Sequence, residues 1–376
     1  MTMIDAPRTE QAEEARVTTI ELFFDLVFVF TLTQLTALLA DDLSLTGALQ
    51  VGLIFTVLFW MYGAYVWATN QVPPDRASRQ ILLVLGMAAF LICALAVPRA
   101  FDRAGVIFGV GYLLVVLVHS TLYWQVYGRA VLRFAPINLV SALIVIVAGL
   151  VDGILTYTLW ILVVLVQAVP PWLVRRSRQF DLYARHFVER HGLLLIVAFG
   201  ESVIAIGVAI DPAQLDAGLI AAAVLALALA TGLWYVYFAH DAEQAEQVLA
   251  SASAADRIRV SLGGYFYAFI PMLLGVIAMA AGVKESLGHF TEPLEVEAAL
   301  ALGVGVALYL LGQAAFHAIL RIGPVVHRLA AAAAALASTA VGVYVSAAAQ
   351  LSLLVLLLAT LIAIELAAAR RVKPLS

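Results

Sequence analysis

A chain of 376 residues that is 64% apolar and 12% charged carries more apolar side chains than a water-soluble core of that length can bury. Lipid must therefore solvate much of its surface. A net charge of −4 argues against nucleic acid as a partner, and the single cysteine, Cys93, excludes an intrachain disulfide and a multi-thiolate metal site.

The chain opens on a polar tail, 1–19, whose Asp5, Arg8, Glu10, Glu13, Glu14 and Arg16 mix both signs. A cleavable signal peptide would set basic residues before a short apolar core, so none is expected here. Six apolar runs follow, at 20–39, 47–69, 79–98, 104–126, 134–151 and 155–174. A basic connector, 175–190, comes after Pro170 and Pro171, and six more runs follow at 191–210, 216–239, 260–282, 295–318, 325–345 and 349–369, before a short tail, 370–376. Each run is near the ~20 residues a helix needs to cross ~30 Å of hydrocarbon, and far too long for a barrel strand. The expected fold class is all-α: a polytopic helical membrane protein of about 12 transmembrane helices. Between the runs, His240–Arg259 reads as a solvated helix, and residues 180–191 as an interfacial segment leading into the seventh span.

With twelve spans, only Arg99, Arg103 and Lys284 of the 21 Lys and Arg fall on the side opposite the N-terminus. That asymmetry places both termini in the cytoplasm. The two halves, 20–174 and 191–369, share weak features. Glu21 pairs with Glu189, Trp60 with Trp234, and Arg79 with Arg257, at offsets drifting from 168 to 178. Two parallel six-helix repeats would produce this, and so would chance similarity among apolar runs.

Charge inside a span is expensive and marks candidate sites. Glu21 and Asp25, four apart, share one face of the first helix. Thr18 and Glu21 fit a capping box, which explains Glu21 without a functional role. Asp25 lies a turn deeper among Phe23, Phe24 and Phe28, where capping does not reach; a functional role or a buried pair would account for it. Glu201 stands near mid-depth in the apolar run 193–210, between Gly200 and Ser202, as an ion- or proton-handling group or a structural pair. Glu189 and His191 lie at the entrance of that helix, where interfacial anchoring is the plain alternative. His119 and His317 fall in the inner halves of the fourth and tenth spans, as ligands or as satisfied helix–helix hydrogen bonds. With Asn70, His240, Asp241 and Gln313, these residues suggest a polar cavity open to the cytoplasm, with Glu201 near its floor. His186, Glu189 and His191 have loose ligand-like spacing but do not share a helix face. No zinc-protease, Walker A or serine-hydrolase motif occurs, so no metal is expected and no cofactor is indicated.

Residues 19–30 (TIELFFDLVFVF) with Thr33, Gln34 and Leu35, the stretch 189–193 (ERHGL), and 199–204 (FGESVI) together resemble the bacterial low temperature requirement A family. The Trp- and Tyr-rich segments 60–67 and 234–237 fit as well. The resemblance implies a multi-pass inner-membrane protein and singles out Glu21, Asp25, Glu189, His191 and Glu201. It names no substrate. The double proline at Pro73 and Pro74 departs from the family pattern and leaves Asp75 without an assigned role.

The function expected from these residues is a proton- or cation-coupled secondary transporter of a small solute, with Asp25 and Glu201 holding the coupling ion. An intramembrane enzyme acting on a lipid or hydrophobic small molecule is the alternative, its pocket lined by Trp60, Tyr62, Tyr65, Trp67, Trp234, Tyr235 and Tyr237. The expected partners are the lipid bilayer and a small molecule or ion. Nothing in the sequence indicates an oligomer.

Overall fold

The structure, a computed structural model, describes residues 17–168, 182–209, 216–287 and 290–372. Of the expected segments, most of the N-terminal tail (1–16), the end of the sixth span (169–174), the first part of the connector (175–181), residue 210 and the last four residues (373–376) lie outside the described residues.

Every element among the described residues is helical. In order they are α1 (Thr19–Asp41), α2 (Leu45–Gln71), α3 (Ala77–Ala96), α4 (Gly105–Tyr127), α5 (Ala135–Ala148), α6 (Ile154–Ala168), α7 (Ala184–Ala209), α8 (Ala217–Phe238), α9 (Asp241–Ser251) and α10 (Ala254–Ser261). A π-turn (Leu262–Tyr267) leads into α11 (Phe269–Leu287), followed by α12 (Val296–Leu320), α13 (Val326–Tyr344) and α14 (Ala347–Val372).

Nine described helical stretches are long and apolar enough to cross a membrane. Three of the expected spans differ from that standard. Helix α5 has 14 residues and the described part of α6 has 15. At 1.5 Å per residue, 14 residues rise about 21 Å, short of the hydrocarbon thickness. Helix α7 has 26 residues but carries Arg185, Glu189, Arg190 and Glu201. It begins at Ala184, so residues read as the end of the basic connector are its first two turns.

The apolar faces show how lipid enters the arrangement. Helix α3 buries Leu83, Met87, Phe90 and Ala94 and exposes Ile81, Leu85, Leu91 and Leu95. Helix α8 buries Ala222, Ala226, Leu229 and Leu233 and exposes Ile220, Val224 and Leu227. In water such apolar stripes would be a liability; in a bilayer they are the surface that meets acyl chains.

The chain forms two compact units. The first comprises residues 1–35, 49–194 and 245–262; the second comprises 36–48, 195–244 and 263–376. In the first, α3 packs on α4, α4 on α5, and α5 on α6. In the second, α11 packs on α12, α12 on α13, and α13 on α14, with α8 also against α14. The first four helices start at 77, 105, 135 and 154, and the second four at 269, 296, 326 and 347, so matching starts are 191 to 193 residues apart.

Both units rely on glycine where helices meet, because lipid supplies no hydrophobic drive between helices and close backbone approach must supply contact instead. In the first unit a Cβ on Gly149 would lie 2.3 Å from the carbonyl carbon of Gly105. In the second, a Cβ on Gly305 would lie 2.4 Å from the backbone nitrogen of Met279. Since backbone cannot yield as a side chain can, Gly305→Val is expected to force α11 from α12 at a cost of about 1–3 kcal/mol or more. Gly52→Ala is the control, because nothing lies within 4 Å of a Cβ there. Thermal unfolding in detergent checks this; equal midpoints for the two variants would contradict it.

Candidate functional site

In the first unit, the start of α1 meets the start of α7 and the end of α2. Thr18 donates its amide (3.0 Å) and its hydroxyl (2.8 Å) to Glu21 Oε2. Half of the expected capping box is therefore present: the carboxylate receives the Thr18 amide, while the Thr18 hydroxyl turns to the carboxylate rather than to the Glu21 amide. Capping is only part of what Glu21 does. Its Oε1 accepts from Arg190 Nη1 at 2.8 Å, and His186 Nε2 lies 3.2 Å from its carboxylate.

Asp25, one turn on, faces the same guanidinium. Its Oδ1 accepts from Arg190 Nη2 (2.9 Å), from Arg190 Nε (3.2 Å) and from the Tyr62 hydroxyl (2.9 Å). Its Oδ2 accepts only the longer bond from Arg190 Nε, at 3.2 Å. Arg190 Nη1 also donates to the Thr69 hydroxyl on α2, and the guanidinium sits 5.7 Å from the Phe24 ring centre. None of the side chains of Glu21, Asp25, His186 and Arg190 is more than 5% exposed.

The tautomer of His186 follows from its neighbours. Asn70 Oδ1 accepts from the Tyr183 amide (3.1 Å), and Asn70 Nδ2 donates to the Tyr183 carbonyl (2.9 Å). This clasp on the residue before α7 fixes which end of the Asn70 amide is nitrogen. That nitrogen lies 3.1 Å from His186 Nδ1, which must then be the acceptor. A ring hydrogen is then on Nε2, facing Glu21. The cluster thus holds two carboxylates against one guanidinium.

The other expected residues are placed as follows. Glu189 is exposed. His191 is buried, its Nδ1 2.8 Å from the Phe187 carbonyl and its ring 4.4 Å from that of Phe187. His119 is buried on α4, with Nε2 3.3 Å from the Ala64 carbonyl and its ring beside Tyr65 and Tyr123. Glu201 is half-buried and belongs to the second unit, as does His317, which lies beside Asp241. Of these seven, only Glu21 and Asp25 meet in the Arg190 cluster. Of the aromatic residues suggested for an apolar pocket, Tyr62 and Tyr65 are fully buried among rings, Tyr62 stacking on Phe28 at 4.3 Å. No group of His, Cys, Asp and Glu able to hold a metal occurs among the described residues.

Sequence reasoning counted Arg190 in the basic connector, and weighed His186 only for its loose ligand-like spacing with Glu189 and His191. The signal was helical spacing. His186, Arg190 and Leu194 lie four apart on the buried stripe of α7, whereas Arg185 and Glu189 lie four apart on the exposed side.

The cluster joins two of the stretches that carry the family resemblance: Glu21 and Asp25 come from residues 19–30, and Arg190 from 189–193. The family model described as bacterial low temperature requirement A protein (LtrA) matches residues 16–363. This chain belongs to the LtrA family. A relative from Rhizobium meliloti (strain 1021), the uncharacterized protein RA0937, is 28% identical over 323 residues, covering 81% of this chain and 78% of the relative. The LtrA match takes in the Arg190 cluster and runs through both units as far as residue 363.

Proposed function

We propose that this LtrA-family protein is a multi-pass inner-membrane secondary transporter that couples the movement of a small solute to protons or another monovalent cation. The observation that carries this reading is the sealed cluster of two carboxylates and one guanidinium, with His186 beside it. An isolated buried negative charge is too costly to persist, so the cluster holds one further proton or cation. Asp25 Oδ2, with its single long bond, is the open position for it. A buried site that gains and loses one positive charge is what cation coupling requires. Glu201, half-buried in an otherwise apolar stretch of α7, is the second coupling residue in this reading.

The asymmetry of basic residues supports twelve spans with both termini in the cytoplasm. The shared order of helix packing, and starts 191 to 193 residues apart, support an internal repeat. The bilayer and a small solute or ion are the partners this implies.

The test is reconstitution into liposomes containing a pH-sensitive dye, with a panel of amino acids, sugars and organic ions added outside under an imposed proton or sodium gradient. One solute should drive dye-reported proton movement or sodium-dependent uptake. Glu201→Gln, shown to be folded by size exclusion, should lose at least nine-tenths of that flux. Full flux in Glu201→Gln would overturn the assignment of Glu201, and turnover of a substrate without any flux would favour an intramembrane enzyme instead.

A further inference from the structure

The last turn of α2 grips the first two turns of α7. Asn70, buried near the end of α2, holds the backbone of Tyr183 twice: its Oδ1 accepts from the Tyr183 amide (3.1 Å) and its Nδ2 donates to the Tyr183 carbonyl (2.9 Å). Thr69 accepts from Arg190 Nη1, and the Trp67 ring meets that of Phe187 edge-on at 5.8 Å.

Tyr183 is the residue from which α7 starts. Its carbonyl also accepts from the Phe187 amide (3.1 Å), which opens the helical ladder. Arg190 lies seven residues on, nearly two full turns, so it leaves the helix on the same face as Tyr183. Fixing the peptide at Tyr183 therefore fixes the rotation of α7 and the direction in which the guanidinium points.

A second hold comes from α10. Arg257 Nη1 lies 3.4 Å from the Leu182 carbonyl, one residue before Tyr183. The rest of its guanidinium caps the end of α9, with Nε on the Leu249 carbonyl (2.9 Å) and Nη2 on those of Ala250 and Ala252 (both 3.2 Å). Residues 245–262 belong to the first unit, although α8 before them and α11 after them belong to the second. This hairpin is thus a strap laid on the first unit, with Ala245, Leu249 and Ile258 buried beneath it.

We propose that Asn70 is the positioning residue of the Arg190 cluster, with Arg257 bracing the same stretch of backbone. Between them they seat the start of α7 so that its guanidinium closes on Glu21 and Asp25. This role takes that cluster as the site of the proposed function, but it concerns how the site is held shut, not what passes through it.

Arginine labelling with phenylglyoxal tests it in the purified protein in detergent, without solute or gradient, each site being read by peptide mass spectrometry. In the wild-type protein Arg190, with 0% of its side chain exposed, should stay unlabelled while Arg259, with 41%, reacts. Asn70→Leu keeps the volume and removes the bonds, so local opening at the start of α7 should raise Arg190 labelling about tenfold or more. Arg257→Ala removes the single longer bond to Leu182 along with the cap of α9, and should raise it about threefold. It also serves where Asn70→Leu does not fold. Arg328, on α13 in the second unit with 2% of its side chain exposed, is the internal control and should stay protected in every variant. Arg190 protected in both variants overturns the proposal. So does Arg328 labelling that rises in step with Arg190, because general loosening would expose both. Absent flux in liposomes, with Arg190 labelled as expected, would count against the transport reading and leave the positioning role standing.

Discussion

Arg190→Ala should cost the fold on the order of 3–5 kcal/mol, among the largest effects of any single substitution in the chain. The residue neutralises Glu21 and Asp25 together, and all three side chains are at most 1% exposed. Removing the guanidinium leaves two carboxylates facing each other with no water to solvate them. The loss is therefore mostly the penalty of what stays behind, not the strength of what was removed. That distinction has its own measurement. In an Arg190→Ala background, adding Glu21→Gln and Asp25→Asn should recover much of the thermal stability, read as the unfolding midpoint in detergent. A triple variant no more stable than Arg190→Ala would contradict the charge argument and point to lost packing against Phe24 and Thr69.

Arg328→Ala should be the milder of the two, on the order of 3 kcal/mol, at the lower end of the range for breaking a buried pair. Arg328 on α13 pairs with Asp241 at the start of α9 and with Glu365 on α14; Asp241 is left nearly as buried as Asp25, at 5% against 1% of the side chain exposed, but Glu365 is not. A carboxylate 28% exposed can turn to solvent once its partner is gone. By the same reasoning Glu365→Ala should cost about 1 kcal/mol or less, since a partly exposed pair is worth little by itself. The order Arg190→Ala, then Arg328→Ala, then Glu365→Ala is the prediction, and thermal unfolding of all three under one condition checks it. Glu365→Ala proving as damaging as Arg328→Ala would mean that the exposed edge is not solvated.

Helices were legible wherever an apolar run met the length of a bilayer. They were least well judged at α5, where Pro136 and Gly149 limit the helix to 14 residues. The face shared by Glu21 and Asp25 was legible too, because four residues along a helix is nearly one turn. Their partner was not, since Arg190 lies 165 residues beyond Asp25 and nothing local announces so distant a pairing. Adjacent positions also misled. Glu189 belonged to the recognisable motif and drew attention, while Arg190 was counted among the basic residues that set topology. A rotation of about 100° per residue puts one at the surface and the other in the core. Positive charge near a helix end thus has two readings, and only the apolar stripe through His186, Arg190 and Leu194 separates them.

The separation between α1 and α7 has a consequence for how the protein is made. Asp25 enters the membrane region with the first helix, yet the guanidinium that pairs with it is encoded 165 residues later. Until the ribosome has delivered α7, α1 carries two carboxylates without the guanidinium that pairs with them. Helix α1 therefore precedes α7 in synthesis yet becomes electrically complete only with it, and its final seating waits on the arrival of α7.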